Sequence, residues 1–308
     1  MNSAQSDAHR PNWLVFAPAM FLFVWSTGYV AAKFGLGYID PFTFLALRYG
    51  VIVIIMTALY LIIRPPLPKT GRDWMHLAIV GILMQTIYFG FCYMAFNQGI
   101  AVGTLSLLLS LQPILVGLIA PRWSGERVGL KQWGGLVLGL LGAAVVIIAR
   151  SGIEPATLLS FCFAFFGLIG ITGASLWEKR FGTAHHPVTS NFVGFAVGFV
   201  SIMPFVLMFE TINIVWRWEL TVSLIWLVLG SSLMGVGLLL AMIRAGDVAK
   251  VSALFFMVPP LAAFFAWIVL GEIMPPLAWV GMGIAAIGVY IATRKTKLNI
   301  PTKLTTKI

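Results

Sequence analysis

Residues 106–113 read Ser-Leu-Leu-Leu-Ser-Leu-Gln-Pro, and residues 252–259 read Ser-Ala-Leu-Phe-Phe-Met-Val-Pro. The two stretches stand 146 positions apart, and each opens on serine and closes on proline. Gly125-Glu126 and Trp133 follow the first, Gly271-Glu272 and Trp279 the second. The same offset of 146 carries Lys33 onto Lys179, Pro41 onto Pro187 and Gly142 onto Gly288 without a gap. Matches of Gly or Leu mean little in so apolar a chain. Matches of Lys, Glu, Trp and spaced prolines at one offset mark an internal duplication. In a membrane chain, a duplication of this size points to a carrier whose substrate path lies between its halves.

Composition sets the solvent. Of the 308 residues, 60% are hydrophobic and only 10% are charged, and the mean hydropathy is +0.97. That balance belongs to an integral membrane protein. No cleavable signal peptide is expected, because the first apolar run, from Trp13, is as long as a span and has no small-residue cleavage site after it. Cys92 and Cys162 fall inside apolar runs and read as inert packing residues, with no disulfide or metal pair expected. A net charge of +10 would suggest nucleic acid in a soluble protein; here the basic residues sort by loop, so membrane lipid is the expected partner and nucleic acid is not.

Ten apolar runs can be drawn, at 13–32, 41–63, 74–96, 101–119, 130–149, 156–177, 189–209, 221–243, 249–270 and 277–293. Each approaches the ~20 residues that cross a hydrocarbon core as helix. The predicted class is therefore all-α integral membrane, with ten transmembrane helices. Of the 20 Lys and Arg residues, 16 fall on the side of the N-terminus, three (Lys33, Arg150, Arg217) on the other, and Arg48 lies within a span. The excess places both termini in the cytoplasm of a bacterial inner membrane. Five spans per repeat is an odd number, so the second repeat enters from the opposite side. The expected units are a first repeat over 13–150, an inverted second repeat over 156–294, and a basic tail over 295–308.

Trp25-Ser26, Lys33, Pro41 and Ala46-Leu47-Arg48-Tyr49 resemble the opening of an EamA-type unit. Ser106 to Pro113, Gly125-Glu126-Arg127 and Gln132-Trp133 resemble its close, and Ser252 to Pro259, Gly271-Glu272 and Trp279 repeat that close. Over roughly 14–293 the chain is similar to drug/metabolite transporter superfamily members with two EamA repeats. The resemblance implies ten helices, cytoplasmic termini and export of amino acids or other small metabolites. The chain departs from the pattern in its second half, where Gly194 stands for Arg48 and Ile273 for Arg127.

The candidate site is built from intramembrane polar and aromatic residues. All ten carboxylates lie in loops, tails or span ends, which argues against proton/cation exchange through a buried acid. Arg48 lies about seven residues into the second span. Two roles fit it: a fork for a substrate carboxylate or a gate paired with Glu272 or Glu154, or a structural arginine bonding backbone carbonyls. Gln85, Tyr88 and Cys92 share one face of the third span at i, i+3 and i+7, where Gln85 either bonds a polar substrate or bridges helices. Trp25 lies too deep for an interfacial belt and either stacks on substrate or packs. Asn191, near the start of the seventh span, either binds or caps. Serines 106, 110, 231, 232 and 252 are weaker candidates, because such hydroxyls commonly bond their own helix. Pro113 and Pro259, at equivalent positions, are candidate gating or hinge residues, with static kinks as the alternative.

Gly135 and Gly139, repeated as Gly281 and Ala285, permit close helix approach, within one chain by default or in a homodimer. Glu126 and Glu272, each just before a helix, read as capping residues first and gating residues second. The four histidines lie outside spans or at an edge, and no metalloprotease, phosphate-loop or dinucleotide motif is present, so no enzyme, metal or cofactor is expected. The expected partner is a small-molecule substrate, neutral or zwitterionic, such as an amino acid. A multidrug or other amphipathic-solute carrier is the alternative. A membrane enzyme or an assembly factor is the reading from a different class.

Overall fold

The structure is a computed structural model that describes residues 16–119, 130–150, 156–181, 185–235, 238 and 257–293. The described residues form α1 (Ala17–Gly35), α2 (Pro41–Ile63), α3 (Gly71–Asn97), α4 (Val102–Leu109), α5 (Gln112–Ile119) and α6 (Leu130–Arg150). They continue with α7 (Leu158–Phe181), α8 (Pro187–Phe209), α9 (Trp218–Gly235), α10 (Val258–Leu270) and α11 (Pro276–Thr293). Among the described residues the only β pairing is an isolated antiparallel bridge between Ile39 and Ile214.

Local sequence explains the ends. Pro41 and Pro187 occupy first-turn positions, where a missing N–H costs nothing. Thr70 and Asp73 form a reciprocal capping box that starts α3. Gly99, at φ 89°, makes the tight reversal from α3 to α4. Gly271, at φ 68°, ends α10.

Six described helices are long and apolar enough to cross a membrane. Their outward faces carry Ile54, Ile62 and Val200 at 71, 78 and 69% exposure. Such surfaces are stable against hydrocarbon, not water. Cys162 lies on such an exposed face, unlike the packing residue expected there, whereas Cys92 is buried.

The fourth apolar run is broken. Its helix stops at Leu109 and restarts at Gln112 through short-range bonds, Leu111 N–H to the Leu108 carbonyl at 3.2 Å and Ile114 N–H to the Leu111 carbonyl at 3.0 Å. Pro113 is the second residue of α5, and Pro259 is the second residue of α10. Both prolines thus begin a helical segment, where each was expected inside one. The cause is the same missing N–H: it is tolerated in a first turn and costly in an interior.

Packing is close where glycines allow it. A Cβ on Gly142 would collide with the backbone of Ala285 and lie 2.6 Å from the Gly281 carbonyl. One on Gly288 would collide with the Gly139 backbone. The small-residue faces of α6 and α11 therefore meet within the chain. Elsewhere α2 packs on α8, α4 on α10, α1 on α9 and α10, and α7 on α3, α4 and α5. The main core gathers Phe44, Tyr49, Ile52, Tyr93, Leu105 and Ile202 between these helices.

Candidate functional site: a central cavity

A cavity of about 340 Å³ runs between α1, α2, α3, α8 and α9. Trp25, Arg48, Gln85, Tyr88 and Asn191 all line it. Trp25 sits midway along α1, its ring 5.2 Å from that of Phe21. Asn191 lies four residues past Pro187, and His186 is the N-cap of α8, so Asn191 is not a cap as the sequence allowed. Its position on the wall comes from α8 leaning on α3.

α3 is not a uniform α-helix. Ile82–Tyr88 is a π-helical turn, and the C-terminal part of α9, Trp226–Gly235, is another. The offset of 146 carries 82–88 onto 228–234, inside the second segment. The π turn rotates the residues after it relative to the 3.6-residue period assumed from sequence. Gln85, Tyr88 and Cys92 nevertheless all reach the cavity.

Arg48 is 3% exposed. Its Nε and Nη2 donate to Ser232 Oγ at 3.3 and 2.9 Å, and its Nη1 donates to the Tyr93 hydroxyl at 3.3 Å. The guanidinium lies 4.9 Å from the Phe89 ring centre. Among the described residues, neither bonds to backbone carbonyls nor an ion pair with Glu272 hold it. Glu154, the other acid considered, lies outside the described residues. The three neutral groups, Ser232, Tyr93 and Phe89, orient the fork, and none of the described residues pairs its charge, so a positive charge lies buried on the cavity wall.

Glu272 is instead paired with Lys33. Lys33 Nζ donates to Glu272 Oε1 at 2.7 Å and to the Ile100 carbonyl at 2.5 Å. Val102 N–H donates to Glu272 Oε2 at 3.0 Å. This knot ties the end of α1, the α3–α4 turn and the end of α10. Lys33 was read from sequence as a repeat-matched, family-like residue and a topology charge but given no partner, and Glu272 was read first as a cap. The amide that Glu272 accepts from opens α4, not the helix that follows Glu272 in sequence, so it caps a distant helix rather than its own.

A second polar cluster lies on the same side. Glu210, at the end of α8, accepts from the Phe42 and Thr43 amides and the Thr43 hydroxyl, each at 2.7 Å. Asn213 N–H donates to Asp40 Oδ2 at 3.1 Å, beside the Ile39–Ile214 bridge. On the opposite side the cavity is lined by Leu77, Val80 and Gly81 early in α3, Ser190 early in α8, and the exposed Glu178 late in α7. Glu178 is a carboxylate on the wall, at its rim and not its centre.

Tyr29, Phe89, Tyr93 and Phe96 are wall residues not singled out from sequence, and Ser231 and Ser232, two of the weaker candidate serines, line the wall with them. Phe89, Tyr93 and Phe96, at i, i+4 and i+7 on α3, form an aromatic stripe that periodicity exposes, although it reads equally as core. Of the flagged serines, Ser106 and Ser110 bond carbonyls of their own helix at 3.0 and 2.7 Å. Ser252 lies outside the described residues, as do Gly125, Glu126 and Arg127. Among the described residues no cluster of His, Cys, Asp or Glu could hold a metal ion.

The sequence model of the EamA-like transporter family matches residues 12–148 and again residues 158–294. The chain belongs to this family. EamA-like relatives include a Salmonella typhimurium protein named "Probable amino-acid metabolite efflux pump". It is 24% identical over 90% of this chain and 93% of its own length. A Streptantibioticus cattleyicolor protein named "Probable terminal-alkyne amino-acid exporter" is 26% identical over 92% of this chain and 94% of its own. A solved crystal structure, 19% identical, matches 91% of this EamA-like chain and 96% of its own with a TM-score of 0.61, a likeness of fold. The chain is thus a multi-pass membrane protein of a transporter family.

Proposed function

We propose that this protein exports a small carboxylate-bearing metabolite, an amino acid in the first instance, by alternating access across the inner membrane. The observation that carries the reading is Arg48, a buried cation on the cavity wall with only neutral partners among the described residues. A bound carboxylate supplies the missing counter-charge and accepts from the remaining N–H groups. Trp25, Tyr88 and Asn191 line the rest of the solute's path. The names of the Salmonella and Streptantibioticus relatives, which concern amino-acid compounds, support the same class.

The architecture we infer is ten crossings in two inverted units, 13–150 and 156–294, followed by the tail 295–308. Helix pairing supports it. Under the offset of 146, the α3–α7 pair becomes α9–α1, and the α1–α10 pair becomes α7 with the α4–α5 run. The α2–α8 and α6–α11 pairs map onto themselves. Such exchange is what two halves related by an axis in the membrane plane require. Charge bias assigns the termini to the cytoplasm. The Lys33–Glu272 knot then closes the periplasmic side, and the cavity opens inward to collect solute. Pro113 and Pro259, each starting a helical segment, are the hinges of the exchange.

The test is counterflow of an amino-acid panel in proteoliposomes holding the full chain, with Arg48→Ala and Arg48→Lys alongside. Saturable flux of at least one amino acid is expected, lost in Arg48→Ala and weakened in Arg48→Lys, whose point charge cannot fork a carboxylate. Absence of flux across the panel, with saturable binding of lipophilic cations, would replace this reading by the amphipathic-solute carrier.

A further inference from the structure

Buried polar atoms normally find partners. Of the buried side-chain atoms with no partner among the described residues, two belong to residues that line the cavity: Gln85 Oε1 and Ser231 Oγ. They are repeat mates, 146 positions apart. Each stands in a π-helical segment, Gln85 in Ile82–Tyr88 and Ser231 in Trp226–Gly235. Each is admitted by a glycine on a neighbouring helix. A Cβ on Gly198 would lie 2.5 Å from Gln85 Cβ, and a Cβ on Gly28 would strike Ser231 Oγ.

Their chemistry is complementary to the Arg48 fork. Arg48 offers only donors, whereas Gln85 Oε1 only accepts and Ser231 Oγ can accept. Ser231 is also the chain neighbour of Ser232, the residue that orients Arg48. Serines 106, 110, 160 and 201 each donate to a carbonyl three residues back. Ser232 donates to the Leu227 carbonyl, five residues back, at 2.9 Å, as the π turn dictates. Ser231 makes no such bond among the described residues, so its hydroxyl remains for another partner.

Resting on the carboxylate reading of Arg48, we propose that Gln85 and Ser231 form a second recognition element, one that binds the α-ammonium group of the solute. The cavity would then select α-amino acids over plain carboxylates. Two neutral acceptors suffice for this. A zwitterion carries its own compensating charge, and no buried acid is needed beside the arginine. A neutral pair also leaves the site without a strong hold on a cation lacking a carboxylate.

The test uses the purified full chain and three probes of one shape: L-leucine, 2-hydroxy-4-methylpentanoate and 4-methylpentanoate. Affinities are measured for the wild type, Gln85→Leu with Ser231→Ala, and Arg48→Ala. Hydrogen bonds to a charged group predict that the wild type prefers L-leucine to 4-methylpentanoate by about ten- to a hundredfold, with the hydroxy acid between. The double variant should bind all three within about threefold of one another, because only hydrogen bonds to the amino or hydroxyl group are lost. Its retained affinity for 4-methylpentanoate reports that it is folded. Arg48→Ala should lose all three. An undiminished leucine preference in the double variant, with loss of all probes in Arg48→Ala, overturns the Gln85–Ser231 assignment and leaves the Arg48 reading standing. Unchanged binding in Arg48→Ala overturns the Arg48 reading. A wild type that binds no probe, or binds them equally, overturns the second recognition element.

Discussion

Glu272→Gln removes one charge from the knot on the Lys33 side without changing its size. In the native closure, Lys33 Nζ and Glu272 Oε1 stand 2.7 Å apart, with the side chains 22 and 13% exposed. At an effective dielectric of ~20, a pair at that distance attracts by about 6 kcal/mol. Desolvation offsets most of this, and a charge-assisted hydrogen bond contributes about 2 kcal/mol net. If the opposite conformation lacks the pair, its loss shifts the balance between the two by about thirtyfold, at 1.4 kcal/mol per decade. Ala32, one residue before Lys33 and on the cavity wall, is a suitable reporter. In an Ala32→Cys protein with Cys92 and Cys162 replaced, a membrane-impermeant maleimide applied from the Lys33 side should react slowly. Adding Glu272→Gln should speed labelling by about thirtyfold, and exchanging the two charges should restore protection. Unchanged labelling in a folded Glu272→Gln protein would refute the claim that this pair holds that side shut.

Three further outcomes follow from particular contacts. Gly142→Val drives a side chain into the backbone of α11 and should cost about 2–3 kcal/mol, read as a lower unfolding temperature in detergent. Tyr49→Phe removes the 2.7 Å bond from its hydroxyl to the Gln85 carbonyl within the π turn; a loss of about 1 kcal/mol is expected, with weaker solute binding as the turn relaxes. Replacing Pro113 and Pro259 by alanine lets both breaks heal into helix. Flux should fall several-fold while folded yield stays near normal, and equal losses in both would indicate static kinks.

Much of this molecule was legible in the chain because membranes impose simple rules. Backbone groups must be satisfied within helices, so apolar runs announce where helices lie. The repeat was legible because Lys, Glu, Trp and Pro are rare enough in an apolar chain for one offset to stand out. Arg48 and Gln85 were found because a deep Arg or Gln is costly in lipid and must face inward, Tyr88 because it shares the face of Gln85, and Trp25 because it lies too deep for an interfacial belt. The close α6–α11 contact was found because glycines four apart expose backbone.

Other features depended on contacts between distant segments. The partner of Glu272 is Lys33, 239 residues away, and that of Arg48 is Ser232, 184 residues away. Charge alone allowed Arg48 to pair with Glu272; helix geometry set α1 against α10 and gave the acid to the lysine. The π turns carry no sequence signature of their own, because a π turn is an extra residue accommodated when side chains from neighbouring helices hold both ends in register. Ser231 was one hydroxyl among several until its neighbours were known. Composition, period and repeat determined by themselves that the chain is helical, membrane-embedded and duplicated, since each depends on solvent and local backbone geometry. Only tertiary structure decided which polar groups are paired and which, on the cavity-lining residues, are left without a partner, because partnership is set by packing across the chain.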